Sequence, residues 1–269
     1  MIELSIRDGV AEVLLNAPKK LNALDLDALA ELGQAYDDAA AAGVRALLLR
    51  GEGRSFCAGR DLTTVVPEND DARGYLAGAV APLLRKMSAF PAPTFAAVQG
   101  ACLGVGLGLL AVTDVVYLAD DAKIGSPFAN LGAALDSGGH WLFTERLGPH
   151  RTLDLIYGAE LMSGAEAVAA GLFSRAVAPA DLLERTRAAA ARAAAGPTQA
   201  LVASRELVAQ IRDRRLGFWE ALDAENDVQD RLSRTPDYAE GFAAFLARRT
   251  PVFGGLPPVA SAPVPGSGL

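Results

Sequence analysis

The order of apolar runs and chain breakers along these 269 residues predicts an α/β fold. Two observations carry this. From the N-terminus to Val177, strand-like runs alternate with Ala- and Leu-rich helical segments, a pattern that stacks strands into a mostly parallel sheet. Beyond Arg175–Val177 the pattern is wholly helical. With 51% hydrophobic content the chain can bury a substantial core, either as one large domain or as a domain with a helical extension.

The elements follow in order. Ile2–Ile6 and Val10–Leu15 alternate in polarity around the turn dipeptide Asp8-Gly9, as a hairpin does. Leu24–Ala42 reads as a helix, with Gly43 just past its end where a left-handed residue is preferred. Ala46–Arg50 is a short buried strand, and Ala72–Phe90 a helix stopped by Pro91 and Pro93. Thr94–Val98 is the next strand. Ser137–Leu147 is a helix with Asp136 placed to cap it. The helical region comprises Ala180–Ala195, Thr198–Gln210, Leu216–Leu232 and Pro236–Leu246, with Thr235-Pro236 supplying a cap and a first-turn residue for the last. The closing G-G-L-P-P-V-A-S-A-P-V-P-G-S-G-L has no packable face and reads as a flexible tail.

Several function classes are excluded. The net charge of −7, with no basic stripe, argues against nucleic acid. No apolar run reaches membrane-spanning length, and Met1–Val10 reads as a strand rather than a signal peptide. Cys57 and Cys102 are the only cysteines; they form no disulfide framework or zinc pattern, in keeping with a reducing cytoplasm. No metal-ligand constellation is present.

The chemistry lies in two glycine-punctuated loops, S-F-C-A-G-R-D-L (Ser55–Leu62) and Q-G-A-C-L-G-V-G-L-G (Gln99–Gly108). Each follows a strand and can aim unpaired backbone N–H groups into one pocket, and two converging donors form an oxyanion hole. A dinucleotide-binding loop is rejected, because the spacing is G-x-G-x-G and the loop lies mid-chain.

With N-A-P-K-K-L-N-A-L (Asn16–Leu24), D-V-V-Y-L-A-D-D-A-K-I-G-S-P (Asp114–Pro127) and L-D-S-G-G-H-W-L (Leu135–Leu142), these loops fall in the order found in the enoyl-CoA hydratase/isomerase, or crotonase, family, which the chain resembles from Ile2 to Phe253. The resemblance implies a spiral of ββα units over residues 1–195. It also implies a helical region over 196–253 that packs against a neighbouring chain in a homotrimer or dimer of trimers, with the tail at 254–269. Coenzyme A is then part of an acyl thioester substrate, and no bound cofactor is expected. The backbone N–H groups of Arg60 and Val105 would be the oxyanion donors, with Gly104 and Gly106 permitting the close approach. The Arg60 guanidinium would be free to face phosphate or solvent. CoA would be bound by main-chain groups around Leu21, Ala23 and Ala58, with Lys19, Lys20 or a neighbour's Arg248 or Arg249 near the phosphates. Asp61 would brace the first loop through backbone N–H bonds.

Hydratases of the family use two glutamates, and the motif places Gly108 and Phe128 at those positions; neither can move a proton. Asp136 stands where several isomerases and the dehalogenase branch carry a functional aspartate. It can be read as that acid or as a helix cap. Phe128, Leu131, Leu135 and Trp141 lie around it in sequence, an apolar setting that raises a carboxylate's affinity for protons. One carboxylate serves an isomerisation, taking the γ-proton of a 3-enoyl-CoA and returning it at another carbon of the dienolate. F-A-N-L-G-A-A-L-D-S-G-G-H-W-L and the C-terminal R-L-S-R-T-P-D-Y-A-E-G-F are most similar to the branch of ring 1,2-epoxyphenylacetyl-CoA isomerases, which implies epoxide-to-oxepin or double-bond isomerisation in phenylacetate or fatty-acid catabolism. The alternatives are an Asp-dependent thioesterase or dehalogenase-like hydrolase, an enoyl-CoA hydratase, or a catalytically idle CoA-binding subunit. His140 lies four residues after Asp136, on its face if Asp136 caps the helix. His150, Cys57 and Cys102 read as structural.

Overall fold

In a computed structural model, which describes residues 1–255, the strands form two sheets. The larger holds β1 (Ile2–Arg7), β2 (Val10–Leu15), β3 (Ala46–Gly51), β4 (Thr94–Val98), β6 (Val115–Ala119) and β9 (Arg175–Val177), in that order. The smaller holds β5 (Ala101–Leu103), β7 (Lys123–Gly125) and β8 (Met162–Ser163). β1 and β2 form the expected antiparallel hairpin, with Asp8 and Gly9 both at positive φ as its two-residue turn demands. Every other neighbour in the large sheet is parallel. β3 is apolar at nearly every position because both its faces are covered, the signature of a parallel strand.

The chain winds in repeated turns. Each turn gives one strand to the large sheet, then an extended step to the small sheet, then a helix. β3 is followed by Cys57, which bridges Cys102 of β5. β4 is followed by β5 and by helix α3 (Val105–Ala111), and β6 by β7 and, beyond a short 3-10 turn, helix α4 (Gly139–Leu147). The ββα spiral is thus observed.

Helix α1 (Leu26–Ala41) begins two residues later than its apolar pattern, because Asp25 caps it by accepting a bond from the Ala28 N–H at 2.8 Å. The 72–90 segment is helical, but Gly74–Val80 is π-helical and runs straight into α2 (Ala81–Ser88). α5 (Pro149–Gly158) and α6 (Gly164–Ala169) complete the spiral, and α7 (Leu182–Ala194) packs across β3 and β4. There Arg187 of α7 and Arg50 of β3 share the Glu12 carboxylate of β2, and the Arg187 bond, ahead of Arg50, holds that carboxyl below its ordinary range against the opposing effect of burial.

α8 (Thr198–Arg214), α9 (Phe218–Leu232) and α10 (Pro236–Leu246) follow, the last capped by Thr235 through the Tyr238 N–H. Arg45, at the threshold of β3, donates to the carbonyls of Gly196 (2.6 Å) and Phe253 (3.0 Å), tying both ends of this helical region to the sheet. Of the expected tail, Gly254 is fixed by a bond from its N–H to Asp237, and 256–269 lie outside the described residues.

Candidate active site

The two glycine loops are stitched together. Phe56 N–H donates to the Gln99 carbonyl (2.7 Å), Cys57 N–H to Ala101 (3.0 Å), and Leu103 N–H back to Cys57 (3.0 Å). On its other flank the first loop pairs with the segment before α1: Leu24 donates to the Gly59 carbonyl and accepts from the Asp61 N–H. In such a parallel bridge Leu24 uses the groups on either side of Arg60, so the N–H of Arg60 itself faces the opposite way. Among the described residues it meets no acceptor.

The second loop presents a matching donor. Gly104, at φ +52°, fixes the turn by donating to Ser126 Oγ (3.1 Å) and accepting from Leu107 and Gly108. Val105 opens α3, where a first-turn N–H has no intrahelical partner. The residues preceding the two donors touch: a Cβ on Gly59 would lie 3.7 Å from Gly104 Cα and 2.9 Å from the Leu103 carbonyl oxygen. A Cβ on Gly106 would stand 2.7 Å from the Cys57 carbonyl oxygen, so only glycine lets α3 approach so closely.

Asp136 enters along α3. The cap of α4 is Gly138, and Asp136 caps nothing with its side chain; its main-chain carbonyl accepts from Gly139 (2.8 Å) and its carboxylate from Ser137 Oγ (2.8 Å). The capping expectation, and with it the pairing of Asp136 with His140 on one helical face, is therefore corrected. His140 is exposed. A Cβ on Gly108, one turn after Val105, would sit 2.7 Å from both Ser137 Cβ and the Ser137 carbonyl oxygen. The loop bearing Asp136 thus fills the space a side chain at 108 would need.

Burial pushes the Asp136 carboxyl above its ordinary range, against the lowering effects of the Ser137 hydroxyl and the Arg60 charge. The expected apolar surround is only partly present. Leu135 is buried and the Phe128 ring would lie 3.0 Å from a Cβ on Gly104, but Leu131 is 62% exposed and Trp141 lies outside under the Arg212 guanidinium.

The Arg60 side chain is not free to seek phosphate. It forms a bidentate pair with Asp70 (2.6 and 2.9 Å) and stacks over the Tyr75 ring at 4.3 Å, while the Tyr75 hydroxyl donates to the Leu24 carbonyl. Lys20 is likewise held by Asp25 and Asp61, and Arg249 is bidentate to Glu240. Lys19 is exposed, with no partner among the described residues. The Leu21 carbonyl and the Ala58 N–H are bonded to each other (2.9 Å), which leaves the Ala23 and Ala58 carbonyls as the main-chain groups open there. Asp61 accepts from the Thr63 N–H and hydroxyl, bracing the loop as expected.

One residue that holds the site escaped the sequence reading. Asn22 is fully buried at φ +57°; its Oδ1 accepts from the Ala17 N–H, and its Nδ2 donates to the carbonyls of Glu52 and Ser55. It clips the opening loop to the first oxyanion loop. The only signal was an Asn between apolar residues, where asparagine tolerates the left-handed region. Cys57 bonds with Gly59, and burial pushes its thiol up to about 12, leaving it unreactive at neutral pH. Among the described residues no group of three or more His, Cys, Asp or Glu could hold a metal, and no helix is long and apolar enough to cross a membrane.

A ββα spiral with two glycine loops presenting unpaired N–H groups beside one half-buried carboxylate defines an acyl-CoA enzyme of the crotonase fold. The chain belongs to the enoyl-CoA hydratase/isomerase family, whose model matches residues 5–256. A Rhodobacter capsulatus protein named "Probable enoyl-CoA hydratase" is 34% identical over 254 residues, covering 94% of this chain and 98% of its own. The 1,2-epoxyphenylacetyl-CoA isomerase of Escherichia coli is 32% identical over 259 residues, covering 93% and 97%. The crystal structure of an enoyl-CoA hydratase from Bacillus anthracis matches with a TM-score of 0.86 at 26% identity, covering 95% and 99%.

Proposed function

We propose that this enzyme isomerises acyl-CoA thioesters, using Asp136 as its single acid–base group and the N–H groups of Arg60 and Val105 as the oxyanion hole. The observation that carries this is Gly108. It offers no side chain to move a proton, and the space beside it holds Ser137, next to the half-buried Asp136. Phe128, at the second hydratase position, is equally unable to act as an acid or base.

With a 3-enoyl-CoA, Asp136 takes a proton from C2, which the thioester carbonyl and the double bond both acidify; the γ carbon named from sequence is where the proton returns. The electron pair left at C2 delocalises into a dienolate, and the charge gathering on the thioester oxygen is met by the two N–H groups. Asp136, whose burial favours the protonated form, keeps the proton and delivers it to C4, giving the conjugated 2-enoyl thioester. No water is consumed. Among the relatives, the isomerase of Escherichia coli supports this reading and the proteins named hydratase support the family's other reaction. Within it, phenylacetyl-type epoxides and fatty enoyl chains are both candidate acyl groups.

The same reading has the helical region packing against a second copy in a trimer or dimer of trimers. It is supported by Phe218, Trp219, Phe245, Leu246 and Val252, each more than 70% exposed, and by a groove lined by Leu232, Tyr238, Phe242, Phe245 and Phe253.

The test is Asp136→Asn, which keeps shape and CoA-ester binding. Turnover should fall by roughly 10²–10⁴, the usual cost of losing a general base. A variant that retains most of its isomerase activity would exclude Asp136 as the acid–base group.

A further inference from the structure

We propose that Ser137 is a positioning residue for Asp136: its hydroxyl, donated to Oδ1, holds the carboxylate so that Oδ2 is the oxygen that moves the proton, and Gly108 is the seat that keeps Ser137 in place. The inference rests on Asp136 being the acid–base group.

Three features of the loop carry it. The Ser137 Oγ to Asp136 Oδ1 distance is 2.8 Å, a well-formed hydrogen bond between adjacent residues. Ser137 also sits at φ +51°, a left-handed conformation that a serine seldom adopts without support from its surroundings. That support is visible on both sides. The bond from the Gly139 N–H to the Asp136 carbonyl closes the turn, and Ser137 is pressed against Gly108 so closely that any side chain there would overlap its Cβ and its carbonyl oxygen. Leu84 of α2 backs the same spot, 3.4 Å from where that side chain would begin.

The arrangement gives Gly108 a positive role. A glutamate at 108 and a seated Ser137 are mutually exclusive, so the glycine that removes a hydratase-type acid is also what lets the Asp136 loop dock. The Arg60 charge of the first loop lowers the Asp136 carboxyl, and the Asp136 charge in turn raises Tyr75 of the π-helical segment, whose shift is led by burial. Neither is covalently near Ser137. Removing the hydroxyl therefore leaves their influence in place and isolates the contribution of one bond.

The experiment compares full-length Ser137→Ala and Ser137→Gly with the parent enzyme and with Asp136→Asn, on 3-enoyl-CoA isomerisation across pH, with the Asp136 carboxyl carbon titrated by NMR. Both serine variants should fold and keep KM within about twofold. Their kcat should fall about tenfold, as misplacing a catalytic group by a fraction of an ångström does. Their Asp136 midpoint and the acidic limb of the rate profile should both move to higher pH, because a bond to the charged form has been lost. If both keep the parent kcat and midpoint while Asp136→Asn is inactive, the positioning role is overturned and the Asp136 reading stands. If Ser137→Ala is slow but Ser137→Gly is normal, the backbone and not the hydroxyl matters, and the proposal fails. An active Asp136→Asn overturns both.

Discussion

Asp136, the proposed acid–base group, carries a cost to folding. Its carboxyl is lifted above the ordinary value of 3.8 first by burial, so the folded state binds its proton more tightly than the unfolded chain does. The sign follows: the penalty is absent below the unfolded value and is fully present once pH exceeds the folded one. Asp136→Asn should therefore raise Tm at neutral pH, with the gain shrinking to nothing as pH falls below the ordinary aspartate range. Thermal unfolding of both proteins from pH 3 to 8 measures it, and a gain independent of pH would exclude the ionisation as its cause. Asn22 carries the opposite weight. Asn22→Ala leaves the Ala17 N–H and the Glu52 and Ser55 carbonyls without their buried partner and places alanine at φ +57°, and should cost about 3 kcal/mol in urea unfolding. At this scale the sequence was legible where a side chain is missing. Gly108 and Phe128 exclude two acids whatever the fold. It was not legible where a side chain's partner is set by tertiary docking: Arg60 was read as free because Asp70 lies across a loop, and Asp136 was read as a possible cap because the sequence does not show that Ser137 turns left-handed and Gly138 caps α4 instead.

Among the elements, α3 bears most on the proposal, because its first residue, Val105, is the proposed second oxyanion donor, a role that only the backbone can fill. Val105 occupies the first helical position, where proline is tolerated and no intrahelical bond is lost, so Val105→Pro deletes one oxyanion N–H with the helix retained. Turnover should fall on the order of 10²–10³, with CoA-ester affinity and circular dichroism kept. A folded, binding Val105→Pro enzyme with normal turnover would remove the second glycine loop from the chemistry. Strands and helices were largely legible through periodicity and breakers, the hairpin at Asp8-Gly9 and the last helix from Pro236 to Leu246 being read correctly to within a residue. α5 and α6 were not read from the sequence, and α8 runs four residues past Gln210, to Arg214; at the starts of helices, local chemistry overrides periodicity. Asp25 moved the beginning of α1 and Gly138 that of α4, while nothing in the composition of Gly74–Val80 distinguishes its π-helical winding from the α-helix it joins.

For the whole molecule, the spiral explains why loops some forty residues apart lie side by side. Each turn of chain returns to the same edge, so Cys57 and Cys102 lie side by side and bring Arg60 and Val105 with them. Motif order gave this architecture through family resemblance, since composition alone is shared by many α/β proteins. The exposed rings of α9 and α10 should be covered by a second copy. Sedimentation at micromolar concentration should find three or six chains, and a stable monomer would exclude that assembly. The central claim is that a site with Asp136 and without acids at 108 and 128 moves double bonds and does not add water. It is tested most directly by offering the purified enzyme a 3-enoyl-CoA and crotonyl-CoA side by side. Conversion of the former to 2-enoyl-CoA should be far faster than hydration of the latter; rapid loss of the enoyl ultraviolet band with 3-hydroxyacyl-CoA as product would contradict it.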